Sequence, residues 1–182
     1  MRKVIVILTI TIVAGVALSP ILQARADEAR THLISISKEA KTKLKTAGTV
    51  AIFLNGNDSL LTRIAEDALA IHLTNAAFTV VNREKLEKSI GNEIAKKRKQ
   101  KEDTSINALE IGKAVDASVI LTGTVIVEFG ENKPLLVKIA SFQLLDVKNE
   151  KALISFLSEP EKDKRFSEIT KDFVDVIKQN MK

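Results

Sequence analysis

The 182-residue chain contains no cysteine, no tryptophan and no tyrosine, and only two histidines. Without cysteine it cannot form disulfides, thiolate metal sites or a thiol nucleophile, and it cannot carry the acylated cysteine that tethers bacterial lipoproteins. His32 and His72 are too few for a histidine-rich metal site, and we expect His72, which lies near the buried stripe of its helix, to be a packed or half-exposed residue of the core. The composition therefore predicts a non-catalytic protein that uses no cofactor and no metal.

Aromatic content and net charge argue against a role in binding nucleic acid. Seven Phe residues supply few of the stacking platforms that single-strand binders use. The formal net charge is +5, but Arg2, Lys3 and Arg25 lie in a predicted leader, which leaves +2 (5 minus 3) on the mature chain. Such a charge favours solubility and gives little attraction for a polyanion.

The first 26 residues have the pattern of a secretory leader. Arg2 and Lys3 provide a positive start, and an apolar run covers residues 4–18. Signal peptidase is expected to cut between Ala26 and Asp27. The apolar run is shorter than the roughly 20 residues of a spanning helix, so a cleaved leader is favoured over one retained as an anchor. We predict an exported protein of the periplasm, free or associated with the outer or inner membrane.

Residues 27–182 are predicted to form one domain that begins with a helix. No internal repeat, low-complexity stretch or long linker divides them. The first helix is expected from about Glu28 to Thr46, since apolar residues recur there at helical spacing among lysines. Those apolar residues are Leu33, Ile36, Ala40 and Leu44.

The next segments predict two parallel strands joined by a helix. Residues 49–54 form a short apolar run before a polar loop, and Asp58 or Ser59 can cap a helix that ends near Asn75. Residues 78–81 are expected to be the second strand, which makes a right-handed crossover. The buried side of this helix is predicted to carry Leu61, Ile64, Ala65, Ala68, Ile71 and His72.

Three more helices and a meander complete the predicted fold. Helices are expected over residues 83–101, from a cap at Asp103, Thr104 or Ser105 to Asp116, and over residues 166–181. Strands over 119–127, 135–146 and 152–157, joined by short polar turns, predict a three-strand antiparallel meander. The fold class is therefore α/β, an α+β sandwich with helices packed on a mixed sheet.

Two motifs suggest alternatives to a docking role. Ser35 and Lys38 match the Ser-x-x-Lys spacing of penicillin-recognising hydrolases, with Ser37 as a second candidate nucleophile, but the companion motifs are absent. A run of basic residues at the end of the 83–101 helix could contact a polyanion or a partner, although such a run also suits a solvated helix end. These residues are Lys96, Lys97, Arg98, Lys99 and Lys101.

Five segments resemble the CsgG-like family of bacterial envelope proteins in their order and in their amino-acid sequences. The resemblance lies in residues 50–54, 64–69, 78–86, 108–125 and 144–153. The segment 108–125 is the most specific, because a helix, an Asp-Ala turn and a Gly-containing strand follow each other in fixed order. Members include the curli secretion channel CsgG, the flagellar protein FlgO and the penicillin-binding-protein activator LpoB.

The resemblance implies an anticodon-binding-domain-like sandwich and a role in envelope or surface-organelle assembly, such as curli assembly at the outer membrane. Two departures qualify it. Family members are usually lipoproteins, whereas this chain has no cysteine. The connection after Val127 is a short polar turn, so the inserted membrane hairpins of the curli channel are missing and no integral membrane pore is predicted.

The predicted function is that of a non-catalytic binding or scaffold protein with envelope proteins as partners. Homo-oligomers occur in the family and are compatible with this role. The exposed side of the 83–101 helix and the free edge of the meander are the expected contact surfaces.

Overall fold

The computed structural model describes residues 32–100, 106–128, 136–160 and 165–182, and these contain six strands and five helices. The predicted leader, its Ala26/Asp27 cleavage site, Lys101 and the turn at 130–133 lie outside these residues. The elements in chain order are β1 (His32–Ile36), α1 (Ala40–Thr46), β2 (Thr49–Gly56), α2 (Ser59–Thr74), β3 (Thr79–Val80), α3 (Arg83–Gln100), α4 (Ala108–Ala114), β4 (Val119–Glu128), β5 (Leu136–Asp146), β6 (Lys151–Ser158) and α5 (Phe166–Met181).

The strands form one mixed sheet in the order β1-β6-β5-β4-β2-β3. β2 runs parallel to β3 and to β4, which confirms the predicted crossover. β4, β5 and β6 are antiparallel neighbours and form the predicted meander. The α/β fold class, with helices packed on a mixed sheet, is confirmed.

Alternate residues of the central strands pack into two separate hydrophobic cores, one on each face of the sheet. On one face Ile52 and Leu121 pack against α1, α2 and α5. On the other face Ala51 and Ile120 pack against α3 and α4. This alternation follows from the two-residue period of a strand. The larger core is the one that α5 closes, with Phe173 fully buried between Phe142 and Phe156.

The prediction of a helix from Glu28 to Thr46 is wrong for residues 32–36. This segment is β1, which pairs antiparallel with β6, and the helix begins only at Ala40. The three-residue spacing of Leu33 and Ile36 fits a helix and not the two-residue period of a strand, and hydrogen bonding to β6 overrides this local pattern. The sequence indicates that the meander ends in a free edge at β6. In the structure β1 covers that edge, so β1 is the edge strand of the sheet.

Helix α2 has the predicted ends, but its buried side is rotated from the predicted one. The Asp58 side chain accepts a hydrogen bond from the Leu61 N–H at 2.9 Å and caps the helix as expected. Ala65, Leu69 and Leu73 are its buried residues. Ile64 and Ile71, which the sequence predicts to be buried, are exposed because α5 and β2 contact the neighbouring side.

Helix α4 is capped by Asn107, two to four residues after the predicted caps, which lie outside the described residues. Asn107 Oδ1 accepts from the Glu110 N–H at 2.9 Å, and the Glu110 carboxylate accepts from the Asn107 N–H at 3.3 Å. This reciprocal capping box fixes the helix start. Within the described ranges, no helix has both the length and the apolar composition that crossing a membrane requires.

Candidate functional site at the β3 edge of the sheet

A cleft of about 400 Å³ opens at the edge of the sheet where β3 ends after two residues. It lies between α2 on one face of the sheet and α3 on the other. Its apolar lining comes from β2, β3 and the two helices, and it includes Ile52, Phe53, Ala70, Val80, Val81, Leu86 and Ile90. Its polar lining is Glu66, Asp67, Asn82, Arg83 and Glu87. We call this cavity the β3-edge cleft.

The charged side of the cleft is built around Arg83, the first residue of α3. Its Nη2 atom lies 3.1 Å from Glu66 Oε2 and 2.9 Å from Asp67 Oδ1. Asn82 Oδ1 accepts from the Glu84 N–H at 2.7 Å and thereby orients the start of the helix. Arg83 therefore ties α3 to α2 across the edge of the sheet.

Glu66 also takes the place of a missing strand neighbour for β2. Its Oε1 atom accepts a hydrogen bond from the Leu54 N–H at 3.0 Å. The even-numbered backbone groups of β2 face β3, as the bond from the Val81 N–H to the Val50 carbonyl shows, and β3 is too short to reach Leu54. A side-chain carboxylate thus satisfies a backbone donor that would otherwise invite another strand.

Burial raises the pKa of Glu66 above its ordinary value. The hydrogen bond from the Leu54 N–H and the Arg83 charge act in the opposite direction, but they do not compensate for the burial. The carboxyl therefore holds its proton more tightly than a solvated glutamic acid does. Perturbed carboxyl groups often mark functional clefts, although an arrangement that only satisfies a sheet edge perturbs them too.

The outer face of α2 next to the cleft carries apolar side chains in contact with solvent. Leu60 is 66% exposed and Ile71 is 61% exposed. Arg63 beside them pairs with Glu87 of α3 at 3.2 Å, an exposed contact of small energetic value. The surroundings of the cleft therefore combine apolar surface with weakly held charges, as docking surfaces do.

The predicted basic run is divided by the structure. Lys97 Nζ lies 2.9 Å from Glu110 Oε2, with only 16% of its side chain exposed, and so joins α3 to α4. Lys96, Arg98 and Lys99 are exposed on α3. That the basic run contacts a polyanion or a partner stays a prediction. Within the run, Lys97 already pairs with Glu110 and so stabilises the fold.

The Ser-x-x-Lys motif loses its structural premise. Ser35 lies in β1 opposite Ser155, and Lys38 stands in the turn before α1. The motif needs serine and lysine one helical turn apart, and a strand followed by a turn does not provide that geometry. This counts against the predicted hydrolase alternative.

The two histidines lie on different elements. His32 Nε2 is 3.2 Å from Asp172 Oδ2 of α5, and its ring stacks on Phe156 with centroids 4.8 Å apart. His72 is half-buried on α2. His72 therefore has the half-exposed surroundings that the sequence predicts. In the part of the chain that the structure describes, no group of three or more His, Asp or Glu side chains is placed to hold a metal ion.

Comparison with known proteins gives distant structural similarity only. No family model matches the chain, and no curated protein matches it. Similar solved structures include a PelC dodecamer from Paraburkholderia phytofirmans, at 14% identity and a TM-score of 0.46, covering 83% of this chain and 96% of that one. The lipoprotein GNA1162 from Neisseria meningitidis has 19% identity and a TM-score of 0.43, covering 73% and 95%.

The LpoB C-terminal domain from Salmonella enterica is similar at 17% identity and a TM-score of 0.41, covering 68% of this chain and 93% of that domain. LpoB is one of the CsgG-like proteins that the sequence resembles, whereas neither CsgG nor FlgO is among these three structures. At TM-scores below 0.5 these similarities carry no argument about function. Membership of the CsgG-like family therefore stays a prediction.

Proposed function

We propose that this chain is a non-catalytic binding or scaffold protein of the bacterial envelope, of the CsgG-like type, that docks to other envelope proteins during envelope or surface-organelle assembly. In this proposal residues 1–26 direct export, residues 27–182 form one domain, and no lipid anchor is attached because the chain has no cysteine. The expected location is the periplasm, free or at the outer or inner membrane.

The observation that carries the proposal is the β3-edge cleft. Its walls are mainly apolar, and three carboxylates accompany a single guanidinium in its lining, namely Glu66, Asp67 and Glu87 with Arg83. Apolar walls with a few placed charges suit a protein segment that inserts an apolar side chain beside a basic one. An acidic surplus disfavours an anionic ligand in the same place.

A photo-crosslinking amino acid tests the cleft in intact cells. Glu87 is the position of choice, since its side chain is 57% exposed and lines the cleft. Glu150 is the matched control, because it is 56% exposed and lies in the turn between β5 and β6. We expect an adduct with an envelope protein from position 87 that position 150 does not give.

A second variant connects the adduct to the cleft. Ala70→Glu places a further carboxylate in the cleft lining and should abolish the adduct, whereas Ala95→Glu on the exposed side of α3 should preserve it. Equal crosslinking from both positions, or none from either, would contradict a docking role for this cleft.

The leader has its own test, which is the intact mass of the protein purified from cells. We expect a chain that starts at Asp27 and contains 156 residues (182 minus 26). The full-length mass would show that the leader is retained.

A further inference from the structure

The two edge strands of the sheet, β3 and β1, differ in how well they are protected against pairing with another strand. At the β3 edge the last strand has only two residues, and the Glu66 carboxylate occupies the Leu54 N–H beyond it. A short strand and a charged side chain are devices that prevent strand addition. The β1 edge has neither device, because β1 has five residues and contains no charged residue, no proline and no glycine.

Four of the five residues of β1, all except His32, are exposed, although three of these four are aliphatic. Leu33 is 70% exposed, Ile34 is 46% exposed and Ile36 is 44% exposed. An aliphatic, uncharged edge strand is a template for pairing with another strand. Within the described ranges, β6 is the only strand that pairs with β1.

We propose that β1 pairs antiparallel with β1 of a second copy of this chain, about a twofold axis at Ile34, and so joins the two sheets into one. The Ser37 N–H donates to the Leu153 carbonyl of β6 at 2.9 Å. Because backbone direction alternates along a strand, the N–H and C=O groups of Ile34 and Ile36 face the open edge. Ile34 can therefore exchange both backbone hydrogen bonds with Ile34 of the second copy.

The side chains of β1 also match their own copy. The twofold register sets Ile34 against Ile34 and the bulky Leu33 against the small Ser35 of the other chain, on the opposite face. Beside Ser35 lies a groove of about 360 Å³ on the sheet face that α3 and α4 leave open. Its lining includes Ser35, Ser141 and Ser155, so small side chains leave room for the Leu33 of the copy. This match between large and small residues selects a second copy over an arbitrary strand.

Sedimentation of protein made from the full coding sequence and purified from the envelope tests the pairing. We expect a dimer at micromolar concentration. Ile34→Lys would set two ammonium groups against each other at the axis and should weaken dimerisation at least ~10-fold. Leu60→Lys is the matched control, since it places the same charge on an exposed aliphatic position of α2 and should leave the dimer intact.

A cysteine variant keeps the test independent of that charge. The chain has no cysteine, so Ile34→Cys introduces the single thiol. Hydrogen-bonded antiparallel pairs have Cα atoms about 5.5 Å apart, which suits a disulfide. Oxidation should therefore give a covalent dimer from Ile34→Cys and none from Leu60→Cys.

Each remaining outcome has a definite meaning. A protein that is monomeric at all concentrations overturns the proposal. This holds even if another partner protects the Ile34 and Ile36 amides from hydrogen exchange. A larger assembly in which Ile34→Cys does not crosslink overturns it as well. Dimerisation and docking can fail separately. A dimer that gives no crosslinked partner in the β3-edge cleft rejects only the docking function. A monomer that does give the crosslinked partner rejects only the dimer.

Discussion

The Lys43 ammonium of α1 lies 3.0 Å from Oδ2 of Asp146, at the end of β5. Asp146 is only 4% exposed, yet it carries an ionisable group. Its carboxylate also accepts from the backbone N–H of Lys148 at 3.0 Å and from the Asn149 side chain at 2.7 Å. A single buried carboxylate therefore joins the first helix to the turn between β5 and β6.

This carboxylate predicts acid-sensitive stability. Burial alone would raise the pKa of Asp146, but the hydrogen bonds from Lys43 and Asn149 outweigh it and lower the pKa below the ordinary value. The stabilisation is therefore complete above the unfolded-state pKa of about 3.9 and is lost as the pH falls through the lower folded-state value. We expect Asp146→Asn to reduce the free energy of unfolding by about 1–3 kcal/mol at pH 7.

Denaturant unfolding of both proteins at pH 7 and near pH 2 measures this effect. The difference between them should shrink in acid. Asp175→Asn is the control, because the Asp175 carboxylate is 44% exposed and 3.9 Å from Lys178, and it should change stability by less than about 0.5 kcal/mol. An Asp146→Asn difference that is unchanged in acid would show that the charge is not the cause.

Glu66 predicts the opposite dependence on pH. Because its folded-state pKa is raised, its contribution to stability is fully present below the unfolded-state pKa and is lost as the pH rises through the folded-state value. Glu66→Gln can still accept from the Leu54 N–H and has no charge to bury. We expect its free energy of unfolding to equal or exceed that of the native protein at pH 7, with no advantage in acid.

Arg83→Met is the contrasting variant of the same cluster. It leaves Glu66 and Asp67 without their shared guanidinium and should cost about 1–2 kcal/mol at pH 7. Urea unfolding across pH 4–8 measures both variants. A Glu66→Gln protein that is clearly less stable at pH 7 would show that burial of the charge does not dominate at this position.

Gly123 of β4 is predicted to be intolerant of any side chain. A Cβ atom there would lie 1.9 Å from the Ser141 carbonyl oxygen of β5, and backbone cannot move aside as a flexible side chain does. Gly123→Ala should therefore cost at least about 2 kcal/mol. Gly91 has open space around its position in α3, so Gly91→Ala should stabilise by about 0.5–1 kcal/mol. Thermal unfolding compares the two, and equal effects would refute the steric argument.

The two adjacent lysines of α3 are predicted to differ in their effect on stability. Lys97→Met removes the bond to Glu110 and should cost about 0.5–1.5 kcal/mol, whereas Lys96→Met should cost less than about 0.5 kcal/mol, since Lys96 is exposed and 3.9 Å from Glu93. The hydrogen bonds from Lys97 and from the Asn107 N–H lower the pKa of Glu110. In Lys97→Met that pKa should rise toward its ordinary value, which an NMR titration of the carboxyl group can follow.

Most of the fold could be predicted because its signals are local. The crossover from β2 to β3, the meander and α5 each have a periodic apolar pattern with polar residues at the ends. β1 could not be predicted, because the spacing of Leu33 and Ile36 fits the helical period and the partner strand lies more than 110 residues away. The β-branched isoleucines at 34 and 36 were the available signal.

The β3-edge cleft was beyond sequence reasoning for a similar reason. Glu66, Asp67 and Arg83 have the appearance of ordinary charged residues on helix surfaces. They gain a shared role only because β3 stops after Val80 and lets α2 and α3 approach each other around the end of the sheet. The shortness of the 78–81 run before Asn82 was the one available hint.

The pairing of His32 with Ser158 also constrains the order in which the chain can fold. During synthesis β1 is the first strand to be completed and β6 is the last, so β1 waits for its neighbour while most of the chain is made. The meander, whose strands are close in sequence, can assemble without it, since local contacts form early. Each newly made molecule thus passes through a stage in which the backbone groups on both sides of β1 have no neighbouring strand. At that stage, chains translated next to each other on one messenger RNA are most prone to pair prematurely through β1.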